Sequence, residues 1–280
     1  MSSLARPTEP ARACVVGLDV GSSYVKAVSL PLDSGARDAN VLERHLARTG
    51  YDYAAAAESV LGRFSVRPRV VGVTGFGKSG WHGAASTVRR TEISSLAKGM
   101  NHFGFHDGTL VDIGGQDSKV IRLERGRLAG HAMNRRCAAG TGAYLEFIAY
   151  RLNLDVHDMN EIASREQRHH PINSYCTVFA STEILDCVRQ NIAFPSLIRG
   201  LYASVVQRVR EIAPLHPPLF LSGGVAEHHP VLLDVFRSLL KTDVQAVPDP
   251  QFLAALGIAL YAREQADNDS IQGEDDGRPL

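Results

Sequence analysis

The stretch "GTLVDIGGQDSKVIRLERGRL", Gly108 to Leu128, decides the fold. A short apolar run ends at Asp112, a Gly-Gly turn follows, and a second apolar run leads away. A run of this length bounded by turn residues reads as a buried strand, and its successor as a strand returning alongside it. The same design stands earlier in "ACVVGLDVGSSYVKAVSL", Ala13 to Leu30, where Asp19 precedes a Gly-Ser turn. Each aspartate is followed by small or polar residues and then a lysine, Lys26 or Lys119. One such turn by itself reads better as an ordinary hairpin. Recurrence in each half of the chain points to two similar lobes.

The remaining elements extend this reading. "RVVGVTGFGKSG" (Arg69–Gly80) is a strand entering a glycine-rich loop, and "TEISSLAKGM" (Thr91–Met100) has helical character. Helices are expected at Thr141–Leu152, behind "CAAGTG", at Cys176–Ile192, at Ser196–Ala213 and at Phe252–Glu264. "PLFLSGGVAEHHPVLLDVFRSLL" (Pro218–Leu240) reads as strand, Gly-Gly turn and helix. Strands alternating with helices, plus two hairpins, make an α/β fold.

Composition narrows the function. The chain has 280 residues, 44% hydrophobic, with 30 basic and 30 acidic side chains. It is long enough for a sizeable core, and zero net charge gives no basic footprint for nucleic acid. No apolar run approaches the roughly 20 residues of a membrane span. "MSSLARPTEPARA" lacks a signal-peptide core, so a cytoplasmic location is expected. Residues 1–12 are expected to form a disordered arm and residues 266–280 a disordered acidic tail. Four cysteines are too few for a disulfide scaffold, so they are free, catalytic or metal-bound.

An acidic residue delivered to a glycine turn sets a carboxylate beside backbone amides. The amides suit phosphate oxygens and the carboxylate suits hydrated Mg²⁺. "LSGGVAE" (Leu221–Glu227) adds a third Gly-rich turn before a helix, while neither GxxxxGK[ST] nor a Rossmann GxGxxG occurs at a suitable junction. Cys137 in "RRCAAGTGAYLEF" and Cys176 in "SYCTVFASTEI" stand before helices, where a thiolate gains from the dipole and the free amides. Two such thiolates suit a soft metal or half of an iron–sulfur cluster, which a two-fold axis would complete. Free cysteine is also often a small core hydrophobe. Cys14 and Cys187 take that bland reading, His169-His170 and His228-His229 read as loop residues, and Trp81 reads as surface or partner contact.

The ordered turns resemble the actin-like ATPase superfamily, which implies a two-lobed, ribonuclease H-like fold with duplicated phosphate loops, closing over ATP. Residues 13–98 would form the first lobe, completed by a C-terminal helix at 250–265, and residues 99–249 the second. The order "DIGGQDSKVI", "MNRRCAAGTGAYLEFIA", "CTVFASTEI", "SGGVAE" resembles more specifically the BadF/BadG/BcrA/BcrD-type ATPases, over roughly Cys14 to Glu264. These are activators of 2-hydroxyacyl-CoA dehydratases and ATPase subunits of benzoyl-CoA reductases. The resemblance implies ATP/ADP at Gly21, Ser22, Ser23 and Lys26, at Gly114 and Gly115, at Gly140, Thr141 and Gly142, and at Gly223, Gly224 and Val225. It implies Mg²⁺ at Asp19 and Asp112, and catalytic roles for Asp19, Asp112, Gln116 and Glu183.

It further implies that Cys137 and Cys176 of each subunit bind one [4Fe–4S] cluster across a homodimer. ATP hydrolysis would drive a low-potential electron from reduced ferredoxin or flavodoxin to an acyl-CoA dehydratase or reductase component. "MNRR", "TGFGKSG" and "FASTEI" depart from the family's usual wording, and Arg135 and Arg136 are expected near the cluster end. Within the family the alternative is a benzoyl-CoA reductase subunit. Outside it, a small-metabolite kinase or a zinc-bound regulatory ATPase would share the phosphate loops.

Overall fold

A computed structural model describes residues 13–32, 40–83, 86–134, 137–173 and 176–275. The chain runs β1 (Cys14–Val20), β2 (Tyr24–Pro31), β3 (Glu43–Arg48), α1 (Tyr53–Leu61), β4 (Val70–Thr74), β5 (Ser86–Arg89) and α2 (Glu92–His102). It continues through β6 (Gly108–Ile113), β7 (Ser118–Glu124), β8 (Arg127–Asn134), α3 (Gly142–Arg151), α4 (Asp158–Ser164), α5 (Thr177–Arg189) and α6 (Phe194–Ile212). It ends with β9 (Leu219–Ser222), α7 (Gly224–His228), α8 (Val231–Leu240), β10 (Val244–Ala246) and α9 (Leu253–Asp275). Two compact units result, residues 1–92 with 255–280, and residues 93–254.

Each unit holds a five-stranded mixed sheet, and the two share one plan. The first has the order β3-β2-β1-β4-β5 and the second β8-β7-β6-β9-β10. In both, the central strand pairs antiparallel with its hairpin partner and parallel with the strand on its other side. The duplication seen in the two Asp-Gly turns therefore extends to whole sheets.

Alternation along the strands sends side chains to opposite faces. Val111, Ile113 and Val120 join the core under α3, α4, α5, α6 and α8. Leu110, Ile121 and Leu123 join a separate core with Leu96 and Met100 of α2. In the first unit, Val16, Leu18 and Val20 pack with Ala57 and Val60 of α1. Trp81 belongs to this core, 2% exposed, and its indole N–H donates to Glu58 Oε1 at 2.7 Å. It is neither a surface nor a partner residue, because that hydrogen bond lets the polar edge of the ring be buried.

The helix expected at Phe252–Glu264 runs on to Asp275. The segment expected to be disordered from residue 266 is therefore helical as far as Asp275, and residues 1–12 and 276–280 lie outside the described residues. Adding a residue to an existing helix costs far less than starting one, and the Ala, Glu and Gln beyond Glu264 are good helix formers. Among the described residues no helix is long and apolar enough to cross a membrane.

Helix α9 approaches its sheet unusually closely. Gly17 and Gly72 are register partners on β1 and β4. A Cβ on Gly17 would collide with the carbonyl of Ala255, and one on Gly72 with that of Ile258. The obstacle is helix backbone, which cannot rotate aside, so overpacking costs more than at a flexible side chain. Gly72→Val is expected to lower unfolding free energy by about 3 kcal/mol or to prevent folding. Urea denaturation that matches wild type would show that α9 does not need this contact.

Candidate functional site

The second unit builds its site at the end of β6. Asp112 is 5% exposed and stands opposite Lys119 on β7 and beside Ser222 on β9. Ser222 Oγ donates to Asp112 Oδ1 at 2.7 Å, and Lys119 Nζ lies 3.3 Å from Oδ2. Lys119 also donates to Asp117 Oδ1 at 2.7 Å, so one buried ammonium spans the turn. The turn itself closes through Gly114 N donating to Asp117 O at 2.9 Å, which leaves Gln116 exposed at its tip. Gly223 has φ +92°, and a Cβ there would meet the carbonyl of Ile113. Only glycine lets this turn lie against the strand end. Gly224 opens α7, while Val225 is buried in the core.

The first unit repeats the arrangement with one oxygen left over. Asp19, 2% exposed, stands opposite Lys26 and beside Thr74. Lys26 Nζ donates to Asp19 Oδ2 at 2.8 Å. Thr74 Oγ1 donates to the carbonyl of Arg90 rather than to the aspartate, and Asp19 Oδ1 is buried with no protein partner. Gly75, with φ +89°, occupies the place Gly223 has in the other unit, and a Cβ on it would lie 2.5 Å from Asp19 Oδ1. The counterpart of "LSGGVAE" is thus "TGFGKSG", a pairing that strand order shows and residue wording conceals. Around the turn, Gly21 N donates to Tyr24 O, Thr49 Oγ1 donates to Gly21 O, and Ser22 is exposed. A buried, unpartnered carboxylate oxygen is costly by itself and suits hydrated Mg²⁺, which prefers oxygen ligands.

The thiol-bearing loop lies against the second turn. The amides of Gly142 and Ala143, at the start of α3, donate to the carbonyls of Gly114 and Gly115 at 2.9 and 2.8 Å. Ser118 Oγ donates to Gly140 O at 2.8 Å, and Thr141 Oγ1 to Ala138 O at 2.6 Å. α3 is anchored to α6 by the Tyr144–Ser204 hydroxyl pair at 3.1 Å, and burial pushes the Tyr144 phenol up to about 12. Cys137 stands upstream of this loop and does not cap a helix, because the first amides of α3 are given to the turn. Cys176 does directly precede α5. Both thiols are exposed, whereas Cys14 and Cys187 are buried and burial raises their thiol pKa. Two exposed thiols in a chain fit, in donor type and number, half of a four-thiolate cluster site. Among the described residues, no group of three or more His, Cys, Asp and Glu could hold a metal within one chain.

Glu183, on α5, accepts from the amide and side chain of Asn173 at 2.9 and 3.2 Å. These bonds tie α5 to the segment that precedes Cys176. Arg135 and Arg136 lie outside the described residues. His228 ends α7 rather than lying in a loop, while His229 stands in the short link to α8 as expected but is buried, 5% exposed, with Nδ1 2.8 Å from Tyr202 Oη. A paired His-His offers no periodicity signal, so only packing reveals this.

The profile of the BadF/BadG/BcrA/BcrD ATPase family matches residues 16–262. The chain belongs to that family. The 2-hydroxyisocaproyl-CoA dehydratase activator of Clostridioides difficile is 33% identical over 269 residues, 90% of this chain and 95% of that protein. The activator of lactoyl-CoA dehydratase from Anaerotignum propionicum is 36% identical over 256 residues, 90% of this chain and 98% of that one. Among solved structures, the activator of the 2-hydroxyisocaproyl-CoA dehydratase from Clostridium difficile with bound ADPNP matches with a TM-score of 0.81 and 28% identity. The match covers 95% of this chain and 99% of that one. The duplicated α/β sheets are those of the actin-like ATPases, and this BadF/BadG/BcrA/BcrD-type chain is an ATPase of that fold.

The buried histidine next to the "SGGV" turn carries a pH signature. Burial, and then His228 and His157, lower the His229 pKa from 6.5 to about 4. The unfolded chain takes up this proton near pH 6.5 and the folded chain only near 4. Stability should therefore fall as pH drops through that window, by about 3 kcal/mol in all, and be unaffected by His229 above it. His229→Gln should lose this part of the pH dependence. Parallel stability–pH curves for wild type and variant, from urea titrations between pH 7 and 4.5, would remove His229 from the account.

Proposed function

We propose that this chain is an ATP-hydrolysing activator that delivers a low-potential electron to a partner 2-hydroxyacyl-CoA dehydratase. It works as a homodimer in which Cys137 and Cys176 of each subunit hold one [4Fe–4S] cluster, reduced by ferredoxin or flavodoxin. The observation that carries this reading is the pair of exposed thiols, one of them on a loop hydrogen-bonded to a phosphate turn. A kinase or a plain ATPase has no use for them. The relatives named as dehydratase activators support the same partner class.

ATP would be held by the backbone of the Gly21–Ser23 and Gly114–Gln116 turns, with Gly223–Val225 as the adenosine loop. Asp19 Oδ1, the carboxylate oxygen without a protein partner, would accept from Mg²⁺-bound water. Asp112 has both oxygens engaged by Ser222 and Lys119, which fixes its orientation toward the turn. Gln116, exposed at the tip, would orient the attacking water. Glu183, held by Asn173, would serve the nucleotide or coupling machinery from α5. When bound, the cluster supplies one-electron transfer at low potential. Val178, Phe179, Leu185 and Val188 leave an apolar face exposed on α5, the helix behind Cys176. Exposed apolar surface of this kind marks a protein contact.

Asp19→Asn should keep the fold, since a neutral amide still accepts from Lys26. It should cut ATP hydrolysis about a hundredfold or more, about 2.7 kcal/mol of barrier, and raise the Mg²⁺ requirement. Unchanged steady-state turnover across a Mg²⁺ titration would exclude Asp19 from catalysis. In a separate test, protein is purified anaerobically and iron and sulfide are assayed. Cys137→Ser and Cys176→Ser should each lose the cluster, while Cys14→Ser and Cys187→Ser should retain it. A full complement of iron in the Cys137 or Cys176 variant, or in a strict monomer, would refute the shared cluster.

A further inference from the structure

The side chains between the second phosphate turn and Cys137 form a continuous bracket. Asn134 is the last residue of β8 and lies directly opposite Ser118 in the β7–β8 ladder. Its Nδ2 donates to Cys137 O at 3.0 Å and to Ala139 O at 3.4 Å, while its Oδ1 accepts from Cys137 N at 3.4 Å. Ser118, 2% exposed, donates to Gly140 O, the next step along the same loop. Ser118 also pairs with Ile113 across the β6–β7 hairpin, so it sits immediately behind the Gly114–Gln116 turn. The far end of the loop is held by the turn's own carbonyls, through Gly142 N and Ala143 N.

We propose that Ser118 and Asn134 are positioning residues that tie Cys137 to the phosphate turn, so that nucleotide bound at the turn sets the placement of the thiol. The proposal rests on the reading that this turn holds ATP. A phosphate gripped by the turn displaces the Gly114 and Gly115 peptide units, whose carbonyls hold the start of α3. Neighbouring peptides of a tightly packed loop cannot absorb the shift independently. With Ser118 and Asn134 in place, the segment from Cys137 to Gly142 moves as one piece with the β7–β8 edge. Without them, the hydrogen bonds left to the loop among the described residues are its internal Thr141–Ala138 bonds and those at the start of α3, and Cys137 is released from the turn. A ligand acts on a distant group only through such a differential contact.

The test uses the full chain, freed of any bound iron and kept reduced. Iodoacetamide labelling of each cysteine is followed by peptide mass spectrometry, with Mg²⁺ and either ADP or a non-hydrolysable ATP analogue. Binding of each nucleotide is measured on the same samples. In wild type, the Cys137 labelling rate should differ about fivefold or more between the two nucleotides. In Ser118→Ala and Asn134→Ala the ratio should fall to near one while both nucleotides still bind, and Ser118→Thr should restore it. Continued protection of Cys14 and Cys187 reports that a variant is folded. If the alanine variants expose those two thiols, Asn134→Asp carries the test, because it keeps the acceptor for Cys137 N and replaces the donor to Cys137 O and Ala139 O by a repelling carboxylate oxygen. A nucleotide-dependent ratio that survives in folded variants would overturn the proposal, as would equal Cys137 rates in wild type with both nucleotides bound. Failure of wild type to bind either nucleotide would instead overturn the ATP reading, and this link with it.

Discussion

Everything near the candidate site depends on a buried carboxylate–ammonium pair at the end of a central strand. It occurs twice, as Asp19–Lys26 and Asp112–Lys119, in each case across the first hairpin of a sheet. Taking two charges out of water costs about as much as their attraction returns, so such a pair contributes little net stability. What it does supply is position. The strand end cannot shift without stranding a charge, and the glycine turn that follows inherits that rigidity. Gly75 and Gly223 then bring a second backbone segment against the same strand end, where any side chain would collide.

The two copies are not chemically equal. In the second unit the neighbouring strand ends in Ser222, whose hydroxyl closes the last acceptor of Asp112. In the first unit Thr74 turns its hydroxyl to the carbonyl of Arg90, and Asp19 keeps an unpartnered oxygen. One carboxylate thereby has a protein partner on each oxygen and the other does not. A single hydroxyl direction makes this difference between two strand ends of the same register.

The loop carrying Cys137 shows how a redox group could be joined to a phosphate turn without a dedicated connector. Helix starts leave free amides, and α3 gives two of its own to the turn's carbonyls. Those amides are then not available to Cys137, whereas Cys176 directly precedes its helix. In exchange, the loop gains a rigid registration to the turn. Such registration matters more than a small dipole contribution if the function is to make the thiol respond to nucleotide.

Much of this was legible in the residues. Apolar runs ending in Asp-x-Gly announced β1 and β6, since only a buried strand needs that pattern, and the repeated lysine announced the hairpin partner. The helices at α2, α3, α5 and α6 lay within a few residues of expectation, because apolar periodicity and caps are local properties. The polar strands β3 and β8 and the helix α1 carried too weak a pattern to be read, and their place comes from sheet pairing alone. Trp81, His228 and the tail of α9 differed from expectation because burial and helix formation depend on neighbours distant in sequence or on the helix already formed. The types of the candidate residues, two aspartates in glycine turns and two cysteines near helices, were determined by the sequence itself, through the chemistry those side chains can perform. Which aspartate keeps an oxygen without a protein partner, and that Ser118 and Asn134 stand between turn and thiol, were decided only by the tertiary structure, because hydrogen-bond direction is settled by strand register.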